Sequence, residues 1–318
     1  MRSTLYGQLI LPSYSITGKY IIKIIFIMSM LFIVQDISFA RTKKIVLLAN
    51  GAKPEKLAGD FEFTEGPACD RKGNIFFTDQ PTNRILKWST ENKLSVFGEN
   101  FGRANGMYFD KNGNLITCSD EKNELWSISP EGKVTILVKN YNGKRLNGPN
   151  DLWIAPNGSI YLTDPFYKRT WWDHVTSEQD GECVYFLAPG TSNLLRVASD
   201  FQQPNGIIGT PDGKHLYVAD IRAHKTWRYA INSDGMLSDK TLFAELGSDG
   251  MTIDNRGNVY LTGKGVTIFN SEGVQIANIP IPENSTSNVC FGGKDRHLLF
   301  ITALKSVYGL KMKVKGVK

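Results

Sequence analysis

GNIFFTD, residues 73–79, opens a series of similar segments that recur along the chain: GNLITCSD from Gly113, GSIYLTD from Gly158, GKHLYVAD from Gly213, GNVYLTG from Gly257 and the degenerate RHLLFIT from Arg296. Successive glycines in this series are 40, 45, 55 and 44 residues apart. Each copy is a turn followed by alternating β-branched and aromatic residues, the pattern of a hairpin turn that leads into a strand. Further β-rich stretches follow each copy, which gives about four short strands per repeat. The repeats predict an all-β fold, a six-bladed β-propeller that forms a single domain over residues 41–318.

The stretch before the first repeat has no blade of its own. KKIVLLAN, residues 43–50, is apolar and rich in β-branched residues, so we expect it to form a strand. Pairing of this strand with the C-terminal blade would close the ring and leave no long exposed sheet edge. Helical periodicity is absent from the repeats, so no helical layer is expected.

Residues 1–40 have the pattern of a secretory signal peptide. A nearly unbroken apolar run covers residues 20–34, and small residues lead up to Ala40 as the expected cleavage position. The alternative is a retained N-terminal anchor, but Lys23 leaves only 11 uninterrupted apolar residues, fewer than a membrane-spanning helix needs. We therefore expect an exported protein, periplasmic or secreted, with no membrane contact beyond this segment.

Composition excludes several classes of function. The formal net charge is +6 over 318 residues and the basic residues are scattered, so no nucleic-acid partner is expected. The four cysteines, at positions 69, 118, 183 and 290, form no Cys-x-x-Cys pair, and free buried thiols are expected. The four histidines lack ligand spacing, which argues against a histidine-rich zinc site.

One position in the repeat carries an oxygen-bearing side chain in every copy. Counting eight residues back from each turn position gives Glu65, Asn105, Asn150, Asn205, Asp249 and Asn288. The strand before the turn is the innermost strand of a blade, so these six side chains are expected to converge on the central channel. Most of them precede Gly or Asp, and tight turns are the alternative explanation for such pairs. A turn does not account for a glutamate, or for an oxygen ligand in every blade.

The chemistry of this set points to a metal. Carboxylate and amide oxygens are hard ligands, which favour Ca²⁺, with Mg²⁺ or Mn²⁺ next and Zn²⁺ less natural. Glu65 and Asp249 would roughly neutralise one divalent cation, which can polarise a carbonyl and lower the pKa of a bound water. A carboxylate beside that water can accept its proton, and we assign this role to Asp249. The sequence thus predicts a central metal site.

The segments around these residues resemble the SMP-30/gluconolactonase/luciferin-regenerating family. The matching motifs are FTEGP at 63–67, GPNDL at 148–152, QPNGI at 203–207, SDGM at 248–251 and SNVCFGG at 287–293. The resemblance covers nearly all of residues 60–312. It implies a divalent cation held by Glu65, Asn150, Asn205 and Asp249. It also implies that Asp249 donates and accepts the proton in the opening of a lactone ring.

Substrate contacts are expected from Asn150, Asn105, Asp151, Arg103 and His224. The resemblance implies that Asn150 lies near both metal and substrate. Regucalcin-like members carry an arginine two residues before this position, where the present chain has Gly148, as in bacterial gluconolactonases. Arg103, Lys144 or Arg145 could take that role from nearby loops. His224 lies on a loop that could face the channel mouth.

Two further features of the repeats have structural or functional explanations. Asp79, Asp120, Asp164 and Asp220 end the second strand of four blades and are expected to stabilise turns. Trp171 and Trp172 lie in the longest insertion, between blades 3 and 4. This insertion could form a lid or a sugar-stacking wall, or it could pack over a blade edge.

The sequence therefore favours an exported, Ca²⁺-dependent lactonase that acts on glucono-1,5-lactone or a related aldonolactone. One alternative is an arylesterase- or phosphotriesterase-like hydrolase on the same fold. Another is a non-catalytic propeller in which the cation is structural and one face binds a partner. The sequence leaves the oligomeric state open.

Overall fold

The computed structural model describes residues 47–317, which form six four-stranded antiparallel sheets. The strands in chain order are β1 (Glu55–Ala58), β2 (Thr64–Cys69), β3 (Ile75–Asp79), β4 (Arg84–Trp88), β5 (Leu94–Glu99), β6 (Ala104–Phe109), β7 (Leu115–Ser119), β8 (Glu124–Ile128), β9 (Val134–Val138), β10 (Leu152–Ile154), β11 (Ile160–Asp164), β12 (Cys183–Leu187), β13 (Leu194–Ala198), β14 (Pro204–Gly209), β15 (His215–Asp220), β16 (Lys225–Ile231), β17 (Leu237–Ala244), β18 (Met251–Ile253), β19 (Val259–Gly263), β20 (Gly265–Phe269), β21 (Gln275–Ile279), β22 (Asn288–Gly292), β23 (Leu298–Ala303) and β24 (Ser306–Lys311). A short 3₁₀ turn, Gln80–Thr82, follows β3.

Five sheets take their four strands consecutively, and these are blades 1 to 5: β2–β5, β6–β9, β10–β13, β14–β17 and β18–β21. Blade 6 consists of β22, β23 and β24 with the N-terminal strand β1 at its outer edge. This arrangement confirms the six-bladed propeller and the closure of the ring by an N-terminal strand. Within the described residues, no helix is both long and apolar enough to span a membrane.

The position of the closing strand differs from the prediction. The strand that pairs with β24 is Glu55–Ala58, whereas Leu48 forms only an isolated bridge with Met312. Residues 43–46 lie outside the described residues. The outer strand of a blade is half exposed, which suits the polar sequence EKLA, while the apolar Leu47 is buried against the last blade. The described end of the predicted strand, residues 47–49, does pair with residues 311–313 at the end of β24, but the outer strand of the blade is β1.

Burial across each blade follows the strand's distance from the channel. The second strands, such as β3 and β11, are buried along their whole length because both of their faces pack between neighbouring blades. The fourth strands, such as β5, are mostly exposed. Hydrophobic clusters fill the space between blades, and the largest joins blades 3, 4 and 5 through residues such as Trp153, Leu216 and Val259. All four cysteines are free, with Cys118 and Cys183 buried.

Candidate active site at the centre of the propeller

The six oxygen-bearing residues predicted to line the channel are called the ring from here on. All of them lie at the beginning of innermost strands: Glu65, Asn105, Asn150, Asn205, Asp249 and Asn288. Glu65, Asn105, Asn205 and Asn288 are the first or second residues of their strands, and Asn150 and Asp249 stand two residues before theirs. Five of the six are buried, with at most 6% of their surface exposed, whereas Asp249 is only partly buried. These positions place all six residues at the same end of the inner strands, and convergence of their side chains on one cation stays a prediction. Asp249 is the ring member most open to the channel.

The residues after the ring positions are not turns but contacts between blades. A Cβ atom on Gly66 would lie 1.9 Å from the backbone oxygen of Asn105, and one on Gly106 would lie 2.6 Å from that of Asn150. Inner strands therefore approach each other too closely for a side chain at these points. The pairing of β2, β6 and β14 with the second strand of their blades also shifts register next to the ring residue. Such bulges bend a strand and redirect a side chain, here at the mouth of the channel.

Asn205 and Asp249 are joined by a direct hydrogen bond. The Asn205 Nδ2 donates to Asp249 Oδ1 over 2.8 Å and to the Tyr167 hydroxyl oxygen over 2.6 Å. Its Oδ1 is buried without a hydrogen-bond partner among the residues described. An unpaired buried carbonyl oxygen is costly unless another group, such as a cation, satisfies it.

Glu65 is held on the opposite side of the ring. Its Oε2 accepts hydrogen bonds from the Gly66 backbone N–H over 2.6 Å and from Asn288 Nδ2 over 3.0 Å. Burial, and then repulsion by Asp249, raise the pKa of Glu65 well above its usual range. Burial likewise raises the pKa of Asp249 to about 6, although the Asn205 hydrogen bond opposes this rise. Burial is thus the main cause of both pKa shifts, and repulsion by Asp249 adds to that of Glu65.

The donor set therefore fits a hard divalent cation. Neither carboxylate takes part in any of the ion pairs found within residues 47–317. The described residues contain no group of three or more His, Cys, Asp or Glu side chains suited to a metal. Here, however, amide oxygens complete the set, as they do for calcium. The residues that could hold a cation are Glu65, Asn150, Asn205 and Asp249.

Asn150 and Asp151 are fixed mainly through the backbone. The Asn150 N–H donates to Thr163 O over 2.9 Å, and its carbonyl accepts from Gly106 N–H over 2.7 Å. The Asp151 Oδ1 accepts from Leu152 N–H over 2.9 Å, and its side chain lines a small cavity together with Asn288. Burial raises the pKa of Asp151 to about 7. Asp151 thus lies beside the ring, and substrate contact by this residue stays a prediction, as it does for Asn105.

Of the basic residues considered for substrate contact, Arg103 and Arg145 are engaged elsewhere and His224 is exposed. The Arg103 guanidinium donates to the Pro81 carbonyl and lies 4.8 Å from the centroid of the Trp171 ring. Arg145 pairs with Asp173 and Glu178 on the surface. His224 is exposed in the loop between β15 and β16, at the ring end of the channel. The structure brings neither Arg103 nor His224 into hydrogen-bonding contact with a ring residue, and their substrate role stays a prediction.

The long insertion lies within blade 3, between β11 and β12, and not between blades 3 and 4 as predicted, and it provides a residue that sequence reasoning missed. Tyr167 contacts Asn205, and burial raises the pKa of its hydroxyl above the usual range, so it stays protonated. Its neighbour Arg169 lies with its guanidinium 4.7 Å from the centroid of the Tyr167 ring. Tyr167 follows the end of β11 by only three residues, and that proximity to the ring end was the available signal.

The tryptophans of this insertion pack against blade 2. Trp172 is buried, and its Nε1 donates to the Asp120 carbonyl over 2.8 Å. Trp171 Nε1 donates to Asp120 Oδ1, also over 2.8 Å. Packing over a neighbouring blade therefore accounts for both side chains.

The turn-stabilising role is confirmed for three of the four strand-ending aspartates. Asp79, Asp164 and Asp220 each accept two backbone N–H groups from the segment before the inner strand of their own blade. The prediction is wrong for Asp120. Ser119, not Asp120, stands at the position equivalent to Asp79: it pairs with Ala104, as Asp79 does with Thr64. Asp120 is left free to bind the blade-3 insertion.

A cavity separate from the ring lies at the other end of the channel. It measures about 1250 Å³ and is lined by hairpin-turn residues such as Asp110, Asn157 and Pro211. No ring residue lines it. The ring and this cavity are therefore separate features of the propeller.

Comparisons with known proteins agree with the geometry. Residues 63–305 match the model of the SMP-30/gluconolactonase/LRE-like region. The chain is 30% identical to a gluconolactonase of Zymomonas mobilis over 293 residues, 82% of each protein. A solved gluconolactonase structure from Xanthomonas campestris is 29% identical, with a TM-score of 0.78, covering 83% of this chain and 90% of that one. A regucalcin structure from Agrobacterium tumefaciens, 19% identical, has a TM-score of 0.70 over 82% of this chain and 93% of its own, which shows the shared fold. The chain belongs to the SMP-30/gluconolactonase/LRE-like family.

Proposed function

We propose that the protein is a divalent-cation-dependent lactonase that opens a sugar lactone, with glucono-1,5-lactone or a related aldonolactone as substrate. Its relatives named gluconolactonase support a lactone-hydrolysing enzyme, a carboxylic ester hydrolase. The observation that carries the proposal is the ring itself. It combines two buried or partly buried carboxylates that form no ion pair within the described residues with the unpaired Asn205 Oδ1.

Glu65, Asn150, Asn205 and Asp249 would hold the cation, for which Ca²⁺ is the best match and Mg²⁺, Mn²⁺ or Zn²⁺ are the alternatives. When bound, such a cation supplies Lewis-acid polarisation of a carbonyl and lowers the pKa of a nearby water. The remaining ring residues orient these ligands, as Asn288 does for Glu65.

Asp249 is the residue best placed to move the proton. With its pKa at about 6, it is mostly ionised at neutral pH and can accept a proton from the attacking water. The water oxygen bonds to the lactone carbonyl carbon, the bond from that carbon to the ring oxygen breaks, and Asp249 returns the proton to the departing oxygen. The product is the open hydroxy acid. Asn205 keeps the Asp249 carboxylate oriented by its hydrogen bond.

The proposal is tested by following acid release from aldonolactones with chelated, Ca²⁺-loaded and Zn²⁺-loaded protein. We expect turnover above the spontaneous rate with Ca²⁺ and none after chelation. An aryl ester and a phosphotriester in parallel assays test the alternative hydrolase activity. Turnover of those compounds alone would contradict the lactonase proposal. Absence of turnover on all three classes would favour a binding propeller.

Removal of the metal is expected to lower stability as well as activity. A ligand that binds only the folded state stabilises it by about 2.7 kcal/mol at a hundredfold excess over its Kd. We therefore expect the unfolding midpoint in denaturant to rise when Ca²⁺ is added to chelated protein. Isothermal calorimetry should show one site per chain. An unchanged midpoint together with no heat of binding would contradict a metal in the ring.

We further infer that the protein is exported. The apolar run at 20–34 and the small residues before Arg41 support this, and residues 1–40 lie outside the described part of the structure. N-terminal sequencing of the protein from its native cell is expected to begin at Arg41. An intact N-terminus in the membrane fraction would instead indicate a retained anchor.

A further inference from the structure

The hydrogen atoms around Asn205 can be assigned without ambiguity. Its amide must face the Asp249 carboxylate with nitrogen, because an amide oxygen placed there would meet another acceptor. The same nitrogen lies 2.6 Å from the Tyr167 hydroxyl oxygen. Both amide protons are thus donated, one to Asp249 and one to Tyr167. The Tyr167 oxygen acts as the acceptor, so its own O–H proton is left for another partner.

Tyr167 stands where a substrate would arrive. Tyr167 is partly exposed, whereas Asn205, which contacts its hydroxyl, is 1% exposed. The Tyr167 side chain therefore connects the buried Asn205 to a partly exposed segment just after β11. An uncommitted O–H donor at this position matches a lactone, whose carbonyl, ring oxygen and hydroxyl groups all accept hydrogen bonds.

The Tyr167 side chain is held by a brace that crosses from blade 3 to blade 2. Arg169 lies with its guanidinium 4.7 Å from the centroid of the Tyr167 ring, and its Nε donates to Asp120 Oδ2 over 3.0 Å. Asp120 is 2% exposed and also binds Trp171 and Trp172. A buried, multiply bonded carboxylate of this kind gives a rigid anchor.

We propose that Tyr167 is a substrate-binding residue whose hydroxyl donates a hydrogen bond to the lactone, and that Arg169 and Asp120 are positioning residues that hold it over the ring. This inference rests on the proposed lactonase function. It assigns a role in substrate binding to the blade-3 insertion. This insertion lies outside the family motifs, which are in the inner strands. A simpler role for Tyr167 would be to fix the Asn205 amide.

Tyr167→Phe separates these two roles, because it removes the hydroxyl and keeps the ring. We expect kcat/KM for the aldonolactone to fall about 10- to 100-fold, as for loss of a donor to the reacting group. Calorimetric Ca²⁺ affinity is expected to stay within about twofold, since a phenol hydroxyl is not among the ring's oxygen ligands. If Tyr167 only fixed Asn205, Ca²⁺ affinity would fall and saturating Ca²⁺ would restore kcat.

Tyr185→Phe is the matched control. Tyr185 lies in the same blade, is fully buried, and its hydroxyl has no partner among the residues described. The substitution should leave kcat, KM and Ca²⁺ affinity unchanged.

The brace is tested with Arg169→Ala and Arg169→Lys. The alanine variant should lower kcat/KM about tenfold through loss of orientation, and lysine, which can still pair with Asp120, should restore part of it. In the Tyr167→Phe background, Arg169→Ala should cost little more, because its effect passes through the missing hydroxyl. Fully additive losses would overturn the positioning role.

Two results distinguish failure of this inference from failure of the proposed function. Wild-type turnover with an equally active Tyr167→Phe variant would overturn the role of Tyr167 and leave the lactonase intact. A wild-type protein that binds Ca²⁺ but hydrolyses no lactone would overturn the proposed function, and the inference with it.

Discussion

Asp249→Asn is expected to lower kcat for lactone hydrolysis by a factor of about 10² to 10⁴, the range that general acid–base groups contribute. The substitution removes the proton acceptor and keeps the shape of the side chain. The asparagine Oδ1 can still accept the 2.8 Å hydrogen bond from Asn205, so the local packing should persist. The assay must be run at saturating Ca²⁺, because the lost negative charge also weakens cation binding.

Asp110→Asn provides the matched control for this variant. Asp110 occupies the hairpin turn between β6 and β7 at the far end of the channel, where its carboxylate accepts hydrogen bonds from Asn112 and Asn114. The control should retain wild-type kcat and KM. An Asp249→Asn enzyme that keeps its full rate at saturating Ca²⁺ would show that another group accepts the proton.

Much of the fold could be predicted because the repeat is local. Each copy carries its own turn and alternating strand, so six recurrences are enough to predict six blades without knowledge of contacts between them. The ring could be predicted for a related reason. A fixed spacing of eight residues between ring position and hairpin turn places each side chain at the same height in its blade.

The features that could not be predicted depend on contacts between blades. The insertion that carries Tyr167 has no counterpart in the other repeats, so periodicity gives no guide to its path. In blade 2 the turn-stabilising position is held by Ser119, and the role of Asp120, one residue later, becomes clear only when Arg169 of blade 3 is seen to bind it. The closing strand was misplaced because apolar character is a poor marker of a half-exposed edge strand.

The glycines of the ring show the same dependence on neighbouring blades. In the sequence, Gly66 and Gly106 admit an explanation as turn residues, because each follows Glu or Asn. In the structure they mark the points where inner strands come closest. This close approach sets the width of the ring that carries Glu65 and Asp249.

Gly66→Ala is accordingly expected to destabilise the protein by about 3 kcal/mol or more, as overpacking adds to backbone strain. Gly66 has φ of 50°, and its added Cβ would lie 1.9 Å from the backbone oxygen and 2.9 Å from the backbone carbon of Asn105. Backbone atoms of a neighbouring blade cannot rotate away as a side chain can. Blades 1 and 2 would have to separate at the ring, which should also weaken Ca²⁺ binding through Glu65.

Gly113→Ala measures how much of the stability lost in Gly66→Ala comes from backbone strain alone. Gly113 also has a positive φ, 87°, but a Cβ there would meet no atom within 4 Å. It should cost only about 1–2 kcal/mol, the strain of an alanine in a left-handed conformation, and should leave Ca²⁺ affinity unchanged. Denaturant unfolding and calorimetry of both variants give the comparison. Equal losses of stability would mean that blades 1 and 2 can move apart freely, in which case the close contact of inner strands is not what sets the width of the ring.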